Sequence, residues 1–154
     1  MLKPLEEKFW QAYLATLAIS ERPSNPKVYA SYAGNREIAD KLLALYLEGK
    51  KTAGSSLLED YQSAGDLLPE IGNYWIILDS EGVPRCIVRT ERVERYKFNE
   101  VPESVARAEG EGDSSLEYWR RAHIKFFTPF LSGWGVTDIN ATTVITEFFK
   151  VVFK

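Results

Sequence analysis

Two lysines and three hydroxyl residues follow a glycine in the middle of the chain, in the stretch GKKTAGSS at residues 49–56. Glycine commonly ends a helix, so an extended segment is predicted after it. Side chains alternate between faces in an extended segment, which places Lys51 and Ser55 on one face and Thr52 on the other. A neutral Lys51 could act as a base toward Ser55, Thr52 or a water, if burial or the charge of Lys50 favours loss of its proton. The simpler interpretation is a solvated helix exit with two surface lysines.

A second candidate segment is the acidic turn EGEGD at residues 109–113. Ser114 and Glu117 fit a capping box, which predicts that a helix begins just after this turn. Asp113 is a candidate second cap or helix-dipole partner, and alternatively a ligand contact. Glu111 does not fit the cap spacing, and its flanking glycines could let the backbone approach a ligand. Glu111 could therefore polarise a water, or accept and return a proton.

Several other side chains could contact a substrate. Arg89 lies within a predicted strand and could hold a phosphate or carbonyl oxygen if it points into a cleft. Tyr61, Trp75 or Trp119 could stack on a base, an interaction of roughly 1–3 kcal/mol. His123 lies on an apolar helix face, where a hydrogen-bonded structural histidine is the expected role.

The composition restricts the class of protein. The chain has 154 residues, 45% of them hydrophobic, and a net charge of −3, which is typical of one globular domain and disfavours duplex DNA as a partner. The single cysteine, Cys86, excludes an internal disulfide and fits the cytoplasm. One histidine and one cysteine cannot build a Cys/His zinc site. A divalent-cation site made of carboxylates is compatible with the chain, but no motif indicates one, and no cofactor is expected.

No signal peptide is expected, because Glu6 and Glu7 lie near the start of the chain. No apolar run reaches the roughly 18 residues of a membrane span, so no membrane partner is expected. No pattern specifies an oligomeric state.

The positions of apolar residues and turn residues predict an α+β fold. An N-terminal helix, part of residues 1–25, is expected to pack on the core, and residues 1–154 are expected to form one domain. The predicted helices are 5–19, 36–48, one or two turns at 57–61, 103–109 and 115–127. The predicted strands are 74–78, 85–96 and 142–153. Asn35 is a candidate N-cap, and a hairpin turn is expected over residues 79–82.

From about Asn35 onward, the ordered combination of motifs resembles the ASCH (ASC-1 homology) domain family, in particular its bacterial stand-alone members. The motifs are GKKTA, a following Leu-Leu run, a Gly-Asn-Tyr strand start, the AEGEGD turn and the LEYWR helix start. The resemblance implies a PUA-like fold, which is a small, mostly antiparallel β-barrel decorated by helices, with a cleft at its mouth. Family members are linked to RNA. Some are amidohydrolases that remove the acetyl group of N4-acetylcytidine, and others are ribonucleases.

The resemblance also implies site residues. In the amidohydrolase branch the chemistry depends on a lysine before a threonine, a second threonine three residues after that lysine, and a glutamate in the acidic turn. Lys51 matches the lysine and Glu111 the glutamate, but Gly54 stands where the threonine is expected. The hydroxyl would then come from Ser55 or Thr52.

The expected function is binding of RNA, or of a nucleoside or nucleotide, in this cleft, with hydrolysis of the ligand as an extension. Lys50, Arg89, Asp113, Tyr61 and Trp119 are the expected binding residues. The alternatives are an RNA- or nucleotide-binding module without catalysis, in which Lys50 and Lys51 contact phosphates, and a protein-interaction domain.

Overall fold

Five strands form one mixed sheet in the order β1-β3-β4-β5-β2 in the computed structural model, which describes all 154 residues. Strands β1 and β3 are parallel, whereas the pairs β3/β4 and β2/β5 are antiparallel. The strands are β1 (Val28–Tyr32), β2 (Ala53–Leu57), β3 (Tyr74–Leu78), β4 (Pro84–Lys97) and β5 (Thr143–Phe153). The α+β prediction is confirmed.

Five α-helices accompany the sheet. They are α1 (Pro4–Ala15), α2 (Ala39–Leu47), α3 (Leu58–Ala64), α4 (Glu103–Glu109) and α5 (Leu116–Leu131). Short 3-10 turns cover Ile19–Glu21, Phe98–Glu100, Ser132–Trp134 and Ile139–Ala141. No helix is both long and apolar enough to cross a membrane.

The chain divides into two compact units. The first comprises Met1–Gly49, Ile71–Glu91 and Phe149–Lys154. Its core contains two apolar clusters. In one, Trp10 and Tyr13 of α1 pack with residues of β3 and β4, as expected for a docking helix. In the other, residues of α2 pack with Ile77, Cys86 and Val88.

The second unit comprises Lys50–Glu70 and Arg92–Phe148, and it contains residues 50–56 and 109–113 of the two candidate chemical segments. Its core joins α4 and α5 to β2 and β5. The fully buried members include Leu57, Phe98, Val105, Phe127 and Val144. This apolar layer fixes the helices that carry the polar residues described below.

The predicted elements are largely confirmed, but some boundaries differ. The side chain of Asn35 accepts a hydrogen bond from the backbone N–H of Ile38, at 3.1 Å. Residues 36–38 therefore form a turn, and α2 begins only at Ala39. None of the predicted strands covers the stretch around Tyr29, which forms β1.

The capping box predicted at Ser114 is wrong. Ser115 is the N-cap of α5, and its hydroxyl accepts a hydrogen bond from Tyr118 N–H at 3.0 Å. Ser114 instead has a left-handed backbone, with φ of 62°. Asp113 accepts a hydrogen bond from Ser115 N–H at 2.9 Å, which closes the turn in front of the helix.

Candidate functional site

Lys51 and Ser55 lie on the same face of the extended segment, as its alternation predicts, and both side chains contact Glu109. The distances are 3.4 Å from Lys51 Nζ to Glu109 Oε1 and 2.8 Å from Ser55 Oγ to Glu109 Oε2. Thr52 is on the opposite face. Its N–H and its hydroxyl both donate to the carbonyl of Ala108, at 2.7 and 3.1 Å. Thr52 therefore joins the start of β2 to the end of α4, and its hydroxyl is directed away from Glu109.

The two glycines of the acidic turn allow the turn to pack closely against other residues of the protein. A Cβ on Gly110 would lie 2.2 Å from the carbonyl oxygen of Lys50, and one on Gly112 would lie 2.5 Å from the ring of Tyr118. Both glycines also have positive φ angles, 65° and 59°, which residues with side chains adopt at a cost. The expectation that these glycines admit a ligand is thus replaced by a structural role: they hold Glu111 beside Lys51.

Glu109 is the centre of the site. It is the last residue of α4 and only 2% exposed. Its Oε1 lies 3.4 Å from Lys51 Nζ and 3.4 Å from His123 Nε2. Its Oε2 accepts hydrogen bonds from Ser55 Oγ and from the indole N–H of Trp119. Four donors surround a carboxylate that has about four acceptor positions, so Glu109 has little capacity left for a ligand.

The charges around Glu109 stabilise its ionised form. Burial alone would raise the pKa of Glu109, but the charges of Lys51 and His123, with the hydrogen bonds from His123 and Trp119, hold it well below its usual range. The pKa of His123 is raised in turn, because the ion pair with Glu109 outweighs the opposing effect of burial. Both shifts favour the charged forms of the pair, an imidazolium and a carboxylate, and buried charges in proteins are normally paired.

His123 is held in place by Trp119. Its Nδ1 is 2.7 Å from the carbonyl oxygen of Trp119, and the two rings stack at 4.0 Å. A carbonyl oxygen only accepts, so Nδ1 carries a proton, and Nε2 carries the proton that faces Glu109. His123 thus has the structural role that the sequence predicted, with the addition of a defined ion-pair partner.

Glu111 differs from Glu109 in its exposure. Its Oε2 lies 3.0 Å from Lys51 Nζ, and its side chain is 21% exposed, whereas the side chain of Lys51 is 4% exposed. Two carboxylates within ion-pair distance stabilise the charged form of Lys51. Of the two, Glu111 is the carboxylate that a water or a ligand can reach from solvent.

A second hydroxyl, from Thr146 of β5, joins the site. Ser55 and Thr146 are paired across the β2/β5 ladder, and their hydroxyl oxygens are 2.8 Å apart. Ser55 donates its proton to Glu109, because a carboxylate only accepts, and so Thr146 is the donor to Ser55. The hydroxyl that Gly54 cannot supply is thus present at Ser55, one position further along the chain.

The other predicted binding residues occupy several environments. Lys50 is exposed, and its carbonyl borders Gly110. Asp113 is exposed, and the hydrogen bonds with Ser115 lower its pKa. Tyr61 is half-buried, and burial raises the pKa of its phenol although a hydrogen bond with Ser56 opposes this shift.

The side chains of Trp119 and Arg89 both have partners within the protein. Trp119 is only 3% exposed, so its face packs in the core and does not present a platform for a base. Arg89 belongs to the other compact unit, where its guanidinium pairs with Glu91 at 3.0 Å and hydrogen-bonds Tyr74.

Sequence reasoning missed Glu109 and Thr146. The sequence places Glu109 at the end of a predicted helix and in the acidic turn without indicating a role for it, yet an acid at a helix C-terminus is unfavourable next to the helix dipole. Such a residue needs a nearby cation to offset the unfavourable interaction with the dipole. This requirement was the feature of the sequence that could have identified Glu109. Thr146 alternates with the buried Val144 on one face of β5, where a hydroxyl requires a hydrogen-bond partner. No group of three or more His, Cys, Asp or Glu side chains is arranged to hold a metal ion.

The comparisons with known proteins agree with this fold. The model of the ASCH domain family matches residues 27–153. The ASCH domain structure from Lactobacillus crispatus JV V101 is 29% identical, with a TM-score of 0.92, and the match covers 99% of this chain and 97% of that one. Protein EF3133 from Enterococcus faecalis V583 is 35% identical, with a TM-score of 0.81, over 99% of this chain and 90% of that one. A comparison with curated proteins finds no match. The chain therefore belongs to the ASCH domain family.

Proposed function

We propose that this protein hydrolyses an amide on an acylated nucleoside, either free or as part of RNA, at the site formed by Lys51, Ser55 and Glu111. One observation carries the proposal: Glu111 is a partly exposed carboxylate held 3.0 Å from a buried lysine. The substrate class comes from the resemblance of the GKKT and EGEGD segments to the amidohydrolase branch of the family. The contacts of Lys51 with Glu109 and Glu111 support the division of roles described below.

Glu111 has the role of general base. It would remove a proton from a water as the water oxygen attacks the acyl carbon, and the C–N bond would then break. The same carboxyl would return the proton to the departing nitrogen, which leaves a free amine and a carboxylic acid. The reaction consumes one water and needs no other reactant.

Lys51 acts through its charge. Glu109 and Glu111 stabilise its protonated form, so the geometry favours a cationic Lys51 over the neutral base considered from sequence. A buried cation beside the reaction centre stabilises the negative charge that develops on the acyl oxygen.

Ser55 orients groups within the site. Its proton is committed to Glu109, whose lowered pKa makes it a weak base. The hydroxyl therefore has no strong base to activate it as a nucleophile, and it serves as a polar contact for the substrate beside Thr146. A direct attack by water fits these contacts better than an acyl-serine intermediate.

The experiment measures release of cytidine and acetate from N4-acetylcytidine by the purified protein, with chromatography as the readout. We expect Glu111→Gln to lower kcat about 10²–10⁴-fold, the usual range for loss of a general base. The matched control is Glu117→Gln, which changes a glutamate that is 83% exposed on α5 and should leave the rate unchanged.

Turnover by Glu111→Gln close to the wild-type rate would rule out its role as base. Binding of the nucleoside by the wild-type protein without any product would instead support the non-catalytic binding module.

A further inference from the structure

An arginine lies over an aromatic ring on the face of the sheet that carries Ser55 and Thr146. The guanidinium carbon of Arg92 is 3.9 Å from the centroid of the Phe148 ring. Phe148 pairs with Ala53 across the ladder, as Thr146 pairs with Ser55. Alternate residues of a strand point to the same face, so Phe148 is the next same-face position of β5 after Thr146. Such positions are about 7 Å apart.

The guanidinium is held in this place by its own strand. Glu94 Oε1 is 2.8 Å from Arg92 Nε, and the hydroxyl of Tyr96 donates to the other oxygen of Glu94. Arg92, Glu94 and Tyr96 alternate along β4, which places them on one face. Tyr96 and Phe148 both pack against the apolar core of this unit. The row of Arg92, Glu94 and Tyr96 is therefore fixed at one end by Tyr96 itself and at the other by Phe148, which lies under Arg92.

Arg92 nevertheless remains accessible. Its side chain is 59% exposed, and the ion pair uses the Nε–H donor, one of the five N–H donors of a guanidinium. A planar guanidinium that is already oriented matches a pair of phosphate oxygens and loses little freedom on binding. A flexible surface arginine is not oriented in advance and would lose more conformational freedom on binding.

We propose that Arg92 is a phosphate-binding residue of this site, so that the preferred ligand is a nucleotide or an RNA strand instead of a free nucleoside. The proposal rests on the proposed function, because it places the phosphate of the same substrate beside Phe148 while the acyl group lies at Glu111. Glu94 and Tyr96 are positioning residues, which act by orienting the guanidinium.

The same strand supplies a matched control. Arg95 is also exposed on β4. It lies an odd number of positions from Arg92 along the strand, and therefore on the opposite face. General attraction of a phosphate to a basic strand would involve both arginines, whereas a specific contact would involve Arg92 alone.

The test measures binding of cytidine and of cytidine 3′- and 5′-monophosphates by calorimetry, for the wild-type protein, Arg92→Gln and Arg95→Gln. We expect at least one monophosphate to bind the wild-type protein about tenfold more tightly than cytidine, the gain typical of one charge-assisted contact. Arg92→Gln should remove this preference and leave the affinity for cytidine unchanged, while Arg95→Gln should retain the preference.

Equal wild-type affinity for cytidine and both monophosphates would overturn the proposal, as would a preference that survives in Arg92→Gln. A loss of the preference in both variants would indicate nonspecific attraction and would also overturn it. Binding is read without turnover, so a protein that prefers a monophosphate but releases no product would contradict the hydrolase and leave the role of Arg92 supported.

Discussion

Glu109 and Glu111 are two residues apart, yet their surroundings give them opposite roles. Glu109 is buried and receives donors from Lys51, His123, Ser55 and Trp119. Glu111 shares Lys51 but is partly open to solvent. The fully bonded carboxylate stabilises the fold, and the exposed one remains available for chemistry.

Replacing each glutamate by glutamine should separate these roles. We expect Glu109→Gln to lower the free energy of unfolding by about 3–5 kcal/mol, because it leaves two buried cations without their shared anion. Glu111→Gln breaks a partly exposed pair and should cost about 0–1 kcal/mol. Urea unfolding followed by tryptophan fluorescence measures both values. Equal costs would contradict the assignment of Glu109 as the central anion.

The pH dependence of stability should reflect the His123–Glu109 pair. The raised pKa of His123 means that its contribution is complete below the unfolded value of about 6.5. The contribution is lost as the pH rises through the folded value. For Glu109, with its lowered pKa, the contribution is complete above the unfolded value of about 4.3. It is lost only as the pH falls through the folded value.

His123 is the only histidine, so its Cε1–H proton gives one assignable NMR signal in an untagged protein. We expect that signal to titrate above pH 6.5, the ordinary value for histidine, and the free energy of unfolding to decrease over the same range. In Glu109→Gln the midpoint should move down, because the partner anion is gone. A midpoint at or below 6.5 in the wild-type protein would show that Glu109 does not stabilise the imidazolium.

At the scale of elements, the sequence predicted the strands and helices well but their ends less well. Runs such as YWIIL of β3 contain β-branched and aromatic residues whose preference is strong. The ends depend on individual hydrogen bonds, such as those of Asn35 with Ile38 and Ser115 with Tyr118. Two adjacent serines are equally suitable caps from sequence alone. The left-handed backbone at Ser114 decides between them.

The acidic turn offers a test at this scale. Gly110→Ala should lower the free energy of unfolding by about 3 kcal/mol or more, since it adds a backbone collision to the cost of a left-handed residue. The control is Gly65→Ala, at the end of α3, where φ is 71° and nothing lies within 4 Å of the added Cβ. That variant should cost only about 1–2 kcal/mol. Similar losses in urea unfolding would show that Gly110 is needed for its backbone angle alone.

Only part of the candidate site could be predicted from the sequence, for a reason that applies to the whole molecule. Lys51, Ser55 and Glu111 lie in segments with recognisable local patterns, so sequence reasoning could select them. Glu109 and Thr146 become neighbours of Lys51 or Ser55, and His123 becomes a neighbour of Glu109, only when α4, α5 and β5 fold around β2. Pairing across 54 to 91 residues of sequence depends on tertiary packing, which local patterns do not encode.

The prediction that residues 1–154 form one domain can be tested through two natural probes. Cys86, the only cysteine, belongs to one compact unit, and His123 belongs to the other. Cys86 is fully buried, and burial raises the pKa of its thiol to about 12. The folded protein should therefore resist thiol reagents, and labelling should report the unfolding of its unit.

We expect cysteine labelling and the His123 NMR signal to give the same urea midpoint, because both β4 and β5 contribute residues to each unit. A continuous strand cannot readily lose its ladder in one half and keep it in the other, so unfolding should be a single cooperative transition. Glu109→Gln, which weakens contacts only in the unit that contains His123, should then shift both midpoints together. Separate midpoints in the wild-type protein, or a shift of the His123 transition alone in Glu109→Gln, would show that the two units unfold independently.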